Sequence, residues 1–93
     1  MDERDPAWTT FGVCLGATLK MYRDKTPQSV CARRVGWRQS TWSRMEQNAA
    51  RITVADLQAV CNALKISIGA TVTQAADLQQ SRMRMRRALN DTE

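Results

Sequence analysis

The sequence contains no histidine, and this absence removes both the commonest general base and the commonest metal ligand of proteins. It also lacks a glycine-rich phosphate loop and a pair of carboxylates placed to face one another, so the usual parts of an active site are missing. We therefore expect that the protein is not an enzyme, with no catalytic residues, no metal site and no cofactor.

Long apolar runs and paired cysteines are also missing. No stretch approaches the roughly 18 apolar residues of a membrane span, and residues 1–6 are acidic and polar, unlike a secretory signal. Three cysteines, Cys14, Cys31 and Cys61, stand far apart without a Cys-x-x-Cys pair, which argues against a disulfide framework or a zinc ribbon. We expect a cytoplasmic protein without membrane attachment, in which the cysteines are small buried residues.

Turn-forming residues are scarce, because the 93 residues include four glycines and two prolines. A sandwich or barrel needs a turn every 8–12 residues or so, which this supply does not allow. The hydrophobic content of 43% and the charged content of 25% are ordinary for a globular domain. Composition therefore predicts one small all-helical domain.

The spacing of apolar residues predicts helices over residues 8–23, 28–35, 39–47 and 54–64. Helical spacing resumes after Ser67, and residues 79–90 form a further predicted helix whose apolar side chains do not make one stripe. The residues predicted to begin or end helices are Thr26 as a cap with Pro27 as first helical residue, Gly36 and Asn48 as left-handed ends, and Thr53 and Ser67 as caps.

Positive charge is concentrated in one part of the chain. Residues 20–51 carry eight basic residues against two acidic ones, a net charge of +6, whereas the whole chain carries +5. Four arginines in residues 82–87 give the tail a smaller excess. A basic block between near-neutral segments indicates a surface that faces a polyanion, with nucleic acid the first candidate and an acidic membrane surface the second.

The most informative segment is residues 28–47, where two short helices are joined by a turn of a few residues. Such helices cross steeply, so the residue at their closest approach must be small and the turn must be flexible, as Ala32 and Gly36 allow. Trp42 and Met45 occupy the inward side of the second helix. Its outer face is polar and carries no acid; it consists of Gln39, Ser40, Ser43 and Arg44, with Thr41 at its edge.

This segment resembles the helix-turn-helix of the Xre/Cro/phage-repressor (lambda repressor-like) family of DNA-binding proteins, and the resemblance extends from about Phe11 to Ile68. It implies an all-α fold, a compact five-helix DNA-binding domain with an additional or extended C-terminal helix. We divide the chain accordingly into an N-terminal arm (1–7), a helix-turn-helix domain (8–76) and a C-terminal helical tail (77–93).

The resemblance also implies which residues meet DNA. The base-contacting residues would be Gln39, Ser40 and Arg44, because a recognition helix docks with its N-terminal residues deepest in the major groove. Glu46 would make an internal ion pair and is interpreted as structural. The residues expected near backbone phosphates are Gln28, Arg38, Thr41, Ser43 and Arg51.

As a family member the protein would be a nucleoid-associated transcriptional regulator, most often a repressor, that binds double-stranded DNA as a homodimer on an inverted repeat. Two alternatives stay open: an antitoxin-type or other regulator with a small protein partner, and a restriction-modification controller protein. For the 82–87 run, a solvated helix end is favoured over a dimerisation helix through Met83, Met85 and Leu89 or an extra phosphate-binding arm.

Overall fold

The computed structural model of the protein describes residues 2–91, which fold into one short 3-10 helix and five α helices without a β strand. The 3-10 helix spans Pro6–Thr9. The α helices are α1 (Phe11–Arg23), α2 (Gln28–Arg34), α3 (Gln39–Gln47), α4 (Val54–Leu64) and α5 (Ile68–Asp91). The all-α prediction with five helices is therefore confirmed.

Helices α3 and α4 begin and end at the predicted residues, whereas α1 starts later than predicted. The expected helix from Trp8 is interrupted at Thr10, whose extended backbone and hydroxyl cap a new helix by accepting from the Val13 amide. Residues 6–9 form the separate 3-10 helix, capped by the Asp5 carboxylate. Helix α2 ends one residue before the predicted Val35.

Helix α5 is one continuous helix of 24 residues, which joins the two predicted helical segments and corresponds to the extended form of the expected C-terminal helix. Ser67 caps it as predicted, since its Oγ accepts from the Ala70 amide at 3.2 Å. The proposed division between residues 8–76 and 77–93 falls inside this helix and stays a prediction. Of the arm and the tail, Met1 and residues 92–93 lie outside the described residues.

The core is built around α1, which packs along α5 and against α3. Trp42, Leu19 and Val60 are fully buried there, and Trp42 is the largest of them. The three cysteines are free and buried, as predicted, and burial raises the pKa of each thiol above its ordinary value.

Two glycines of α1 let the end of α3 approach closely. A Cβ on Gly16 would lie 2.6 Å from the carbonyl oxygens of Met45 and Glu46, and one on Gly12 would lie 2.5 Å from Asn48 Oδ1. The Gly12 carbonyl accepts from the Ala49 amide at 2.9 Å. This contact, which is not among those predicted from the sequence, fixes α3 and the loop after it against α1.

The connection between α2 and α3 has the predicted form. Ala32 is 1% exposed at the approach of the two helices, and Gly36 adopts φ +74°, the left-handed region that favours glycine. Trp37 follows, and its ring centroid lies 6.1 Å from that of Trp42. Gly36 thus turns the chain so that α3 crosses α2 with Trp42 facing inward.

Two predicted helix ends are wrong. Pro27 is the N-cap of α2 and not its first helical residue, and no side-chain hydrogen bond, from Thr26 or another residue, caps the start of this helix. The Thr26 carbonyl accepts a hydrogen bond from Arg23. Asn48 ends α3 with an extended backbone, φ −162°, where a left-handed one was predicted. The Asn48 side chain accepts from the Ala50 amide and so supports a different turn.

Candidate nucleic-acid interface

The outward surface of α3 is polar and free of acidic residues. Trp42, Met45 and Glu46 are buried on its inner side, so the exposed side chains lie on the opposite side. Ser40 and Arg44, one helical turn apart, are both exposed, and Gln39 is exposed at the first turn. The three residues predicted to contact bases therefore share the accessible part of this helix.

Gln47 also belongs to this surface, and the sequence analysis missed it. It is exposed, and it follows Ser40 and Arg44 at the spacing that places side chains on one helical face. That spacing is visible in the sequence, but the predicted outer face ends at Arg44.

A groove of about 510 Å³ runs beside α3 and is bounded by the loop that leads to α4. Thr41, Arg44 and Arg51 line it, while Trp37 and Met45 contribute apolar surface. The fold thus brings together three of the predicted DNA-contacting residues, two of them cationic, from positions ten residues apart in sequence.

The remaining predicted phosphate contacts lie outside that groove lining. Arg38 is exposed at the N-cap of α3, and Ser43 is half-buried within the same helix. Gln28 is half-buried at the first position of α2.

Glu46 lies at the junction of three helices, where its carboxylate accepts four hydrogen bonds. Arg23, the last residue of α1, donates from Nε to Oε2 at 2.5 Å and from Nη2 to Oε1 at 2.9 Å. Gln28 Nε2 donates to Oε1 at 2.8 Å, and Trp42 Nε1 donates to Oε2 at 2.6 Å. We call these four residues the Glu46 network.

The network keeps Glu46 ionised although its side chain is only 4% exposed. Burial by itself raises the pKa of this carboxyl, but the hydrogen bonds from Arg23, Gln28 and Trp42 and the Arg23 charge outweigh burial, so the pKa lies below its ordinary value. Glu46 in turn raises the pKa of Arg23 through their hydrogen bond. The internal ion pair predicted for Glu46 is confirmed.

The participation of Gln28 and Trp42 in this network was not predicted. Gln28 was expected to donate to a phosphate, and one of its two amide hydrogens is directed to Glu46. Trp42 was identified only as an inward apolar residue, and the four-residue spacing to Glu46 was the available signal. Gln28 therefore combines an internal contact with a phosphate contact that stays a prediction.

Two of the four tail arginines pack against the N-terminal 3-10 helix. Arg82 donates to the Trp8 carbonyl at 3.0 Å, and its guanidinium lies 4.6 Å from the Trp8 ring centroid, a cation–π distance. Arg86 donates to Thr9 Oγ1 at 3.5 Å, and Gln79 donates to the Thr9 carbonyl at 3.0 Å. The favoured interpretation of residues 82–87, a solvated helix end, is therefore wrong for Arg82 and Arg86.

Within residues 2–91, no group of three or more acidic or cysteine side chains is placed to hold a metal ion. Among the helices of this same part of the chain, none is both long and apolar enough to cross a membrane.

Comparison with known proteins gives one match. A family model described as "Helix-turn-helix domain" matches residues 15–78, about two thirds of the chain, from the first half of α1 into α5. No curated protein and no solved structure matches the chain.

Proposed function

The chain belongs to the helix-turn-helix domain family, and on this premise we propose that it is a sequence-specific DNA-binding transcriptional repressor of the Xre/Cro type. It acts as a homodimer on an inverted repeat and represses by occupying a promoter, without catalysis. The observation that carries the proposal is the acid-free, exposed surface of α3, whose opposite side is fixed in the core by Trp42 and Glu46.

In the proposed complex α3 enters the major groove. Arg44 pairs with guanine O6 and N7, Gln39 with adenine N6 and N7, and Ser40 with either base. The phosphate contacts come from Gln28, Arg38, Thr41, Ser43 and Arg51. The concentration of basic residues between Lys20 and Arg51, net +6, supports this orientation because that stretch includes all of α2 and α3.

A single α3 contacts only one half-site. In a dimer the two α3 helices must lie about 34 Å apart, one turn of DNA, to read an inverted repeat from one side. We place the contact between the two copies on α5, where Met83 and Met85 are 49% and 45% exposed.

Binding isotherms on a selected duplex and on a random-sequence duplex test the assignment of residues. Arg44→Ala and Gln39→Ala should each cost about 1–3 kcal/mol on the selected duplex and relax the preference for it, whereas Gln28→Ala should weaken both duplexes similarly. Lys65→Ala is the matched control, since it removes an exposed cation at the end of α4, outside residues 20–51 and outside α5. Equal losses for Arg44→Ala and Lys65→Ala would show that α3 is not the reading element.

The second candidate is a regulator that binds a small protein partner, as antitoxins do. The exposure of Met83 and Met85 favours this candidate as well, because half-exposed methionines suit a protein interface. Co-purification of a small protein with the wild-type chain, lost when both methionines are replaced by glutamine, would support it.

A further inference from the structure

Among the proposed phosphate contacts, Gln28 has a hydrogen bond to a buried side chain, the carboxylate of Glu46. We propose that Glu46 is a positioning residue for DNA binding, which holds the Gln28 carboxamide in the orientation that meets a backbone phosphate. The inference rests on the proposed function and assigns Glu46 a role beyond the ion pair with Arg23.

The Glu46 carboxylate is held firmly in place. Each of its oxygens accepts two hydrogen bonds, so all four of its acceptor positions are used. The fork of Arg23 fixes the plane of the carboxylate, and the Trp42 indole fixes Oε2 from within α3 itself. Glu46 is thus a rigid acceptor at the point where α1, α2 and α3 meet.

The Gln28 side chain can still donate to DNA. Its bond to Glu46 uses one hydrogen of Nε2, which leaves the second hydrogen to donate to a phosphate oxygen. A side chain that is ordered before binding avoids an entropy cost which corresponds to about 2- to 10-fold in affinity. Glu46 can therefore strengthen DNA binding without touching DNA.

The Glu46 carboxylate also links α2 to α3, because it accepts hydrogen bonds from Gln28 and from Trp42. Gln28 is the first residue of α2, while Glu46 and Trp42 belong to α3, the helix proposed to read bases. Through Oε1 and Oε2 the phosphate-contacting residue and the reading helix are set at one fixed distance from each other. A change at Glu46 should therefore alter the effect of Gln28 specifically.

The test is a double-mutant cycle on binding to a random-sequence duplex at low salt, because a phosphate contact does not depend on base sequence. Gln28→Ala is measured in the wild-type chain and in Glu46→Met, which removes both acceptor oxygens and keeps the length of the side chain. Trp42→Phe provides a second background that loses the indole N–H and part of a fully buried ring but keeps both oxygens of Glu46. Trp8→Phe, in the N-terminal 3-10 helix, is the matched control background. Circular dichroism gives the folded fraction used to correct each affinity.

We expect Gln28→Ala to lower affinity about 2- to 10-fold in the wild-type and Trp8→Phe chains. In the Glu46→Met background, Gln28→Ala should leave the affinity almost unchanged. In the Trp42→Phe background, Gln28→Ala should lower the affinity by a smaller factor than in the wild-type chain. If Glu46→Met does not fold, the Trp42→Phe cycle decides.

Three results overturn the proposal. An equal factor for Gln28→Ala in all backgrounds, or no effect in the wild-type chain, contradicts positioning while DNA binding itself stands. Failure of the wild-type chain to bind either this duplex or any selected one overturns the proposed function and the positioning role together.

Discussion

Replacing Glu46 by glutamine tests how much the Glu46 network stabilises the fold. The change preserves shape but leaves the charge of Arg23, whose side chain is 13% exposed, opposite a neutral amide. Removing one partner of a buried ion pair costs about 3–5 kcal/mol. Arg23 keeps some access to water and its bond to the Thr26 carbonyl, so we expect a loss at the lower end of this range. The free energy of unfolding should fall by about 3 kcal/mol, which corresponds to a decrease of about 12–24 °C in Tm.

The assay is urea denaturation followed by tryptophan fluorescence and circular dichroism, with Asp77→Asn as the control. Asp77 is an exposed acid on α5, so its replacement should change the free energy of unfolding by less than about 0.5 kcal/mol. If Glu46→Gln were no more destabilising than Asp77→Asn, the network would not stabilise the fold as argued.

The pH dependence gives a second readout of the same change. The pKa of Glu46 is lower in the folded protein than its ordinary value, so the folded state binds its proton less tightly than the unfolded chain does. The stabilisation from Glu46 is therefore complete above the unfolded pKa of about 4.3 and is lost as pH falls through the lower folded pKa. The stability difference between wild type and Glu46→Gln should be constant from about pH 6 to 8 and should shrink in acid. A constant difference throughout the acid range would contradict the lowered pKa.

Three further predictions concern packing, the N-terminal contact and salt. Gly16→Ala should destabilise the fold by about 1–3 kcal/mol, because its Cβ would lie 2.6 Å from backbone oxygens of α3. The control Gly69→Ala, whose Cβ would have its nearest neighbour at 3.7 Å, should be neutral or stabilising, and equal urea midpoints for the two variants would contradict the close approach. Arg82→Ala should lower the free energy of unfolding by about 1–2 kcal/mol and increase hydrogen exchange in the second half of α5, while Arg84→Ala should do neither. Similar hydrogen exchange in both variants would show that the contact of Arg82 with Trp8 does not stabilise α5. The logarithm of DNA affinity should fall linearly with that of salt concentration, and Arg51→Ala should reduce the slope by about one; an unchanged slope would remove Arg51 from the phosphate contacts.

Local signals in the sequence were sufficient for the centre of the fold. Helices α3 and α4 have the predicted bounds because their apolar residues recur at helical spacing, and α4 also has its predicted cap at Thr53, whose hydroxyl accepts from the Asp56 amide. Gly36 was predictable for the same reason, since a tight turn that needs a positive φ favours glycine.

Contacts between distant parts of the chain were not predictable from periodicity. The second half of α5 lacks one clean apolar stripe because arginines, not only apolar residues, face its neighbour, with Arg82 and Arg86 reaching Trp8 and Thr9. Glycine is by itself unfavourable within a helix, so the local sequence gives no reason for Gly16. The reason is that the backbone of Glu46 in α3 lies too close to Gly16 for a Cβ to fit.

The candidate site was predictable in its residue types but not in its internal connections. An exposed, acid-free helix face follows from the sequence between Gln39 and Arg44, and the structure places those side chains at the surface. That Gln28 shares a carboxylate with Trp42 depends on how three helices meet, which no local pattern specifies.

Selection of bound duplexes from a random-sequence pool tests the central proposal most directly. We expect enrichment of an inverted repeat whose half-sites lie about one helical turn apart, with the enrichment lost in Arg44→Ala and retained in Lys65→Ala. A pool in which no motif is enriched at moderate salt would contradict the proposal that this chain is a sequence-specific DNA-binding repressor.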